Sequence, residues 1–404
     1  MIELGYNFLH WFKRHYFLYI FGLLECFKPL NPFLYEMMVT TKNITEQQYN
    51  EDIRPISAYT TAITALLIFL VINFCMFNYI YVISFVGGLV VSVFVWQSDT
   101  LPQLQVAEGF LGCVIATEII YYASIYVCEN TNGDFASLTA YIRAVPLGAR
   151  VLGSILAQIL VTNKTLSLHE LAFLSVPATG QAICLVFHLP VMVELDEPPE
   201  PFLPKMSWFK SKFKETFSNK HVLKWSLWSA FTMCGHARVS AMMQPMWREA
   251  QQEDGEMLYN GAVDGIAAFL AFLGVLLCGM MKGNWRYSNA LLLVTSLVQT
   301  CLLMALASVE SVWDSNICYI VLEIVYHFVM TSISAMIAES IHRKGSFGIV
   351  FSFIGLVSAI FNVIFTCVLN ERVISLTFQE HFVVYGGYHL VIAMLVISCW
   401  FSKL

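Results

Sequence analysis

The sequence predicts an all-α membrane protein of about twelve transmembrane helices, and three observations carry that prediction. Of its 404 residues 58% are hydrophobic and only 12% charged, about half the charged fraction of a soluble domain. The apolar residues fall in runs long enough to cross a hydrocarbon core, which needs about 20 residues per helix. One long polar stretch, residues 195–222, divides those runs into two sets of six.

In chain order the first six runs are 16–38, 56–77, 79–97, 101–128, 135–162 and 170–194. The second six are 223–247, 259–281, 288–309, 315–341, 346–369 and 379–402. The domain reading follows: an N-terminal six-helix half over 1–194, a cytosolic linker over 195–222 and a C-terminal six-helix half over 223–404. The linker carries Pro198, Pro199, Pro201 and Pro204, then Lys205, Lys210, Lys212, Lys214 and Lys220, and reads as solvated. The aromatic N-terminus leads directly into the first apolar run, so no cleavable signal peptide is expected.

Basic residues set the orientation. With both termini cytosolic, 13 of the 22 Lys and Arg fall inside: Lys13, Arg14, the six lysines from Lys205 to Lys224, Lys282, Arg286, Arg343, Lys344 and Lys403. Five fall outside (Lys42, Arg54, Lys164, Arg248 and Arg372) and four lie within spans, the asymmetry of the positive-inside rule. The two N-x-S/T acceptors, at Asn43 and Asn163, both land in loops placed outside, where glycosylation occurs. A 6+6 array about a central cytosolic loop is the layout of the major facilitator transporters, whose halves rock about a site near the bilayer midplane.

Other classes find little support. A net charge of −6 spread thinly offers nothing to a nucleic acid. The eleven cysteines sit in apolar runs with no C-x-x-C pair, so neither a metal nor a disulfide is expected. No H-E-x-x-H, G-x-S-x-G or phosphate-binding loop is present, so an enzyme and nucleotide-driven transport are not expected, nor is a cofactor.

Polar residues inside spans are the candidate site, because a charge at the bilayer centre costs about 2.5–3.5 kcal/mol on insertion scales. Glu118 is followed by Tyr121 and Tyr122, spacings that put all three on one helical face. A carboxylate among aromatic rings suits a flat organic cation. The plainer alternative is a charge pair between Glu118 and Arg143 or Arg150 of the next span. Glu323 is the second intramembrane acid, with Tyr326 and His327 one turn on; it either lines the pathway, as negative potential or a proton site, or pairs with a neighbouring polar group. His327 reads more readily as a core histidine than as a proton carrier. Asp264 caps or lines the outer end of its span. Prolines interrupt several spans (Pro29, Pro32, Pro146, Pro177, Pro190 and Pro245), most densely around Lys28-Pro29-Leu30-Asn31-Pro32. Such breaks are tolerated where backbone lines a cavity or is buried in protein.

Local patterns spread over nearly the whole chain resemble the reduced-folate and thiamine carriers, solute carrier family 19. They are Phe21-Gly22, Lys28-Pro29, Pro32-Phe33-Leu34, Asn43-Ile44-Thr45 with Ile53 and Pro55, Gln105-Val106-Ala107-Glu108, the Glu118–Tyr126 run, Tyr141-Ile142-Arg143 and Gly153-Ser154 with Leu156-Ala157-Gln158. In the second half they are Trp225-Ser226-Leu227-Trp228, Tyr259-Asn260-Gly261-Ala262-Val263, Val350-Phe351 and Val384-Tyr385-Gly386 with Tyr388. The resemblance implies a major facilitator fold carrying a water-soluble vitamin across the plasma membrane. Thiamine-carrying members are similar at Glu118 and Tyr121, which there hold the aminopyrimidine; folate-carrying members have an arginine at the position of Glu118 and a basic residue at that of Glu323. Departures from the thiamine pattern are Asn31 for a glutamate, Ser57 for a tryptophan, Arg54 for a phenylalanine, Ala241 for an asparagine and Phe347 for a tyrosine. Arg150 replaces an uncharged residue, and Phe77-Asn78-Tyr79 stands where members carry charged residues.

The expected activity is therefore alternating-access transport of thiamine or a similar cation, with Glu118, Tyr121, Tyr122, Asn31, Ser57, Phe347, Glu323 and Tyr326 about the substrate. Coupling to protons or exchange against anions are both open to it. The alternatives are a folate or other organic-anion carrier that uses Arg54, Arg143 and Arg150, and a transport-dead receptor on the carrier fold.

Overall fold

The computed structural model describes residues 18–72, 77–128, 134–176, 202–254, 259–281, 288–309, 311–341, 345–369, 374 and 376–401. Pro177, Pro190, the prolines at 198, 199 and 201, and the basic residues at 13, 14, 282, 286, 343, 344, 372 and 403 lie outside them. We number the long helices in order: α1 (18–26), α2 (Arg54–Val71), α3 (Phe77–Gln97), α4 (Leu101–Cys128), α5 (Phe135–Thr162) and α6 (168–176). There follow α7 (Phe202–Thr216), α8 (Lys220–Asp254), α9 (Asn260–Met280), α10 (Ser288–Ser308), α11 (Val312–Ser340), α12 (Gly345–Val368) and α13 (Phe378–Phe401). Among the described residues nine helices are long and apolar enough to cross a membrane. The α8 helix is not among them; it carries Lys220, Lys224, His236, Arg238, Arg248 and three acids along its 35 residues.

Local chemistry accounts for the breaks and starts. After α1 the chain leaves helical geometry at the two prolines and resumes as short turns, a 3-10 turn Asn31–Phe33 and a wider turn Met37–Thr41. Neither proline can donate a backbone hydrogen bond. Three helical segments begin with a Ser or Thr and a Glu or Gln three residues on, satisfying each other's backbone N–H groups. These are Thr45 with Gln48, Ser167 with Glu170 and Thr377 with Glu380. Asp134 caps α5 by accepting from the Ser137 backbone at 3.2 Å.

The outer surface is apolar, and small polar side chains are buried among an apolar interior. Ile63, Leu152, Leu277 and Ile317 are more than half exposed, whereas Ser124, Thr139, Thr232 and Thr331 are fully buried. With lipid as solvent, apolar side chains face outward and small polar ones can lie between helices. The first and second sets of helices meet chiefly where α5 packs on α9 and where α12 packs on α2 and α4. Small residues allow the α5–α9 approach: a Cβ on Gly261 would meet the Ser154 carbonyl oxygen at 2.8 Å, and one on Gly279 the Ala140 methyl at 2.5 Å.

One part of the linker departs from the solvated reading. α7 buries Phe209 and Lys212, and its aromatic side lies across both sets of helices. Phe209 is 5.3 Å from Phe69 of α2, and Phe213 is 5.8 Å from Phe353 of α12. Spaced four apart, Phe209, Phe213 and Phe217 present one face.

Candidate functional site

Three connected chambers lie between the two sets of helices. The central one, about 280 Å³, is walled by α2, α4, α5, α8, α11 and α12 and receives Glu118, Tyr122, Arg143, Arg150 and Tyr326. A larger one of about 540 Å³ reaches toward Asn31 and Lys28 and shares Glu118, Arg150 and His236 with the first. The third, about 200 Å³, receives Ser57, Arg54, Arg238 and Asn362.

The tyrosines after Glu118 part company. Glu118 is exposed to the cavity, and its Oε1 accepts from the Tyr122 hydroxyl at 3.3 Å. Tyr121 points the other way: its ring stacks on Phe21 of α1 at 5.7 Å and its hydroxyl donates to the Leu18 carbonyl at 3.4 Å. Gly22 makes the room, since a Cβ there would meet the Tyr121 hydroxyl at 2.2 Å. Phe347 is also away from the three chambers, buried and stacked on Tyr126 at 5.3 Å. Ser57 and Asn31 sit in different chambers, and the Asn31 carbonyl accepts from Gln244 at 2.8 Å.

Neither arginine pairs with Glu118. The Arg143 guanidinium lies 4.4 Å above the Tyr122 ring and donates to Ser334 at 2.9 Å. Arg150 reaches across from α5 to two carboxylates of the second set. Its Nε is 3.1 Å from both Asp264 oxygens, its Nη2 bonds the same carboxylate, and its Nη1 is 2.7 Å from Glu323. The Tyr319 hydroxyl accepts from Arg150 at 2.8 Å, and Ser154 donates to Asp264 at 2.6 Å. Asp264 thus lies at the heart of the inter-helix contact. Among the described residues no basic side chain pairs with Glu118.

Glu323, only 1% exposed, also faces two histidines: His236 Nε2 is 2.6 Å from its Oε1 and His327 Nε2 3.5 Å from its Oε2. His236 stacks face to face on Tyr326, ring centres 3.6 Å apart. His236, Tyr319 and Ser154 were not singled out from sequence for a site. For His236 a signal existed, an ionisable residue inside a span; Tyr319 and Ser154 are common residue types whose position alone gives them a role.

Both ends of the cavity are bridged between the sets. At the end carrying Asn43 and Asn163, Arg248 of α8 pairs with Glu36 and, at 3.0 Å, with Glu46, while Gln244 accepts from the Tyr35 backbone at 3.1 Å. At the other end Tyr126 stacks on Phe347 and on Phe351 of α12. Asn43 and Asn163 are both exposed.

The arrangement is similar to solved transporters. The crystal structure of the human organic anion transporter TETRAN superposes with a TM-score of 0.66 at 12% identity over 94% of this chain and 97% of that one. The nucleoside transporter NupG gives 0.64 at 12% identity over 95% and 98%. These likenesses carry the fold, that of major facilitator transporters. Among curated proteins, Folate-like transporter 3 of Caenorhabditis elegans is 28% identical over 93% of each chain. Thiamine transporter 2 of Mus musculus is 26% identical over 95% of this chain and 88% of its own. The sequence profile of the reduced folate carrier matches residues 9–195 and 202–384. The chain is therefore a multi-pass membrane protein of the reduced folate carrier family, a family of transporters and not of enzymes.

Proposed function

We propose that this protein is a plasma-membrane carrier for a water-soluble vitamin, thiamine or a similar organic cation, working by alternating access with both termini in the cytosol. One observation carries the choice of a cation: Glu118 faces the cavity with only a tyrosine hydroxyl upon it, whereas Arg143 and Arg150, the two arginines of the central chamber, are engaged elsewhere. A carboxylate free of a basic partner beside an aromatic ring attracts a cation by charge and by ring quadrupole together. In this reading Glu118 and Tyr122 hold the positive ring system and Tyr326 lines the opposite wall. Asn31 and Ser57 meet the solute on its way in, while Tyr121 and Phe347 support the helices that present the site. Glycans on Asn43 and Asn163 mark the outer face.

A second reading, a folate or other organic anion, rests on Arg143, whose buried Nε has no hydrogen-bond partner and which an anionic group would satisfy. Uptake of labelled thiamine and labelled folate in cells expressing wild type or Glu118→Gln separates the two. The cation reading expects thiamine uptake that disappears in the variant while the amount of protein at the surface holds. Folate uptake indifferent to Glu118→Gln, without thiamine uptake, would overturn it.

A further inference from the structure

We propose that His236, Glu323 and His327 form a binding site for a divalent transition-metal ion of the zinc type, set in the wall of the central cavity. The three side chains come from two helices. Glu323 and His327 stand one turn apart on α11, and His236 projects from α8 to meet them. One ligand atom from each lies within 4.8 Å of the others. No sequence spacing announces the set, because His236 and Glu323 are 87 residues apart.

Chemistry and geometry agree on the ion. Two imidazoles and one carboxylate are a donor set for zinc and its neighbours, not for calcium or magnesium, which prefer oxygen. Metal–ligand bonds of about 2.0–2.2 Å at tetrahedral angles place donors about 3.3 Å apart. Arg150 holds Oε2, so Oε1 is the ligating oxygen; the 2.6 Å between it and His236 Nε2 has to open by about 0.7 Å, and His327 Nε2, 3.5 Å from Oε2, has to turn toward Oε1. His327 Nε2 makes no hydrogen bond, so its lone pair is available to a metal. The two imidazoles line the wall of the central cavity, 20% and 16% exposed, with the His327 Nε2 atom itself turned inward and buried.

Charge favours a cation there as well. Two carboxylates, Asp264 and Glu323, share the single guanidinium of Arg150, surroundings that suit a further cation. With an ion bound, Arg150 keeps its bonds to Asp264 and holds Glu323 through Oε2 as an outer partner that orients the ligating carboxylate. A bound ion ties α8 to α11 and fixes the His236–Tyr326 stack that forms the cavity wall. Its consequence is inhibition of movement through the cavity.

The test is zinc binding to the purified full-length protein, thiols alkylated beforehand, by equilibrium dialysis with metal analysis. Wild type should hold one zinc per chain and no magnesium. His236→Gln and His327→Gln should each weaken binding by about tenfold or more. Because His327 Nε2 makes no hydrogen bond, His327→Gln keeps the test valid if His236→Gln fails to fold. Cobalt in place of zinc should give a visible tetrahedral absorption in wild type that His327→Gln lacks. Absence of zinc binding, or binding and spectra unchanged in a folded His327→Gln protein, overturns the proposal.

Discussion

Two glutamates inside the membrane, Glu118 and Glu323, occupy opposite environments. Glu323 is 1% exposed and meets an arginine and two histidines. Glu118 is exposed to a cavity and meets one tyrosine hydroxyl at the long distance of 3.3 Å. A buried carboxylate with an arginine from the other set of helices is a tie; in the proposed reading a cavity carboxylate without one is a place for a solute. Residue type alone does not distinguish them. The arginine does, because Arg150 is engaged by Asp264 and Glu323 together and makes no pair with Glu118.

Arg150→Gln should give the largest effect of all. It strands two buried carboxylates, and breaking a buried pair from one side costs about 3–5 kcal/mol; thermal unfolding of the solubilised protein should show a fall of several degrees or loss of folded protein. Arg150→Lys should recover only part, because a lysine keeps the charge but not the fork that spans both acids. Glu118→Gln should leave the unfolding temperature unchanged and weaken cation binding by about 1.5–3 kcal/mol, the scale of a hydrogen bond to a charged group. If the two variants behaved alike, the contrast between tie and site would be broken.

Arg248→Ala sharpens the comparison at a partly exposed tie. Its partners Glu36 and Glu46 are 13% and 53% exposed, so about 1 kcal/mol or less is at stake. That should open the end carrying Asn43 and Asn163 enough to raise alkylation of a Ser57→Cys probe several-fold, with little change in unfolding. The smallest effect belongs to Asn43→Gln and Asn163→Gln. Each should remove one step of electrophoretic mobility without altering uptake, which assigns that end of the molecule to the outside.

Much of the helical frame was legible because hydrophobic length is a strong signal. The expected spans 101–128 and 135–162 coincide with α4 and α5, and the expected break near Pro29 and Pro32 is where α1 ends. The faces of those helices were less legible. Spacing placed Tyr121 and Tyr122 together beside Glu118, but a wide stripe contains two directions, and Gly22 of a distant helix decides that Tyr121 turns toward α1. Partners far apart in sequence were hidden for the same reason: Arg150 finds Asp264 and Glu323 at separations of 114 and 173 residues. Around α7 the linker's prolines and lysines advertised solvent, while Phe209, Phe213 and Phe217 carried the period that seats this segment on α2 and α12.

The most direct test of the division between the two glutamates is equilibrium binding of labelled thiamine to purified protein, comparing wild type with Glu118→Gln at matched folded fraction. The account predicts binding to wild type that falls at least tenfold in the variant, with identical unfolding temperatures. Thiamine binding unchanged by Glu118→Gln, or an unfolding temperature that collapses with it, would contradict the assignment of Glu118 to the solute and place it among the structural pairs.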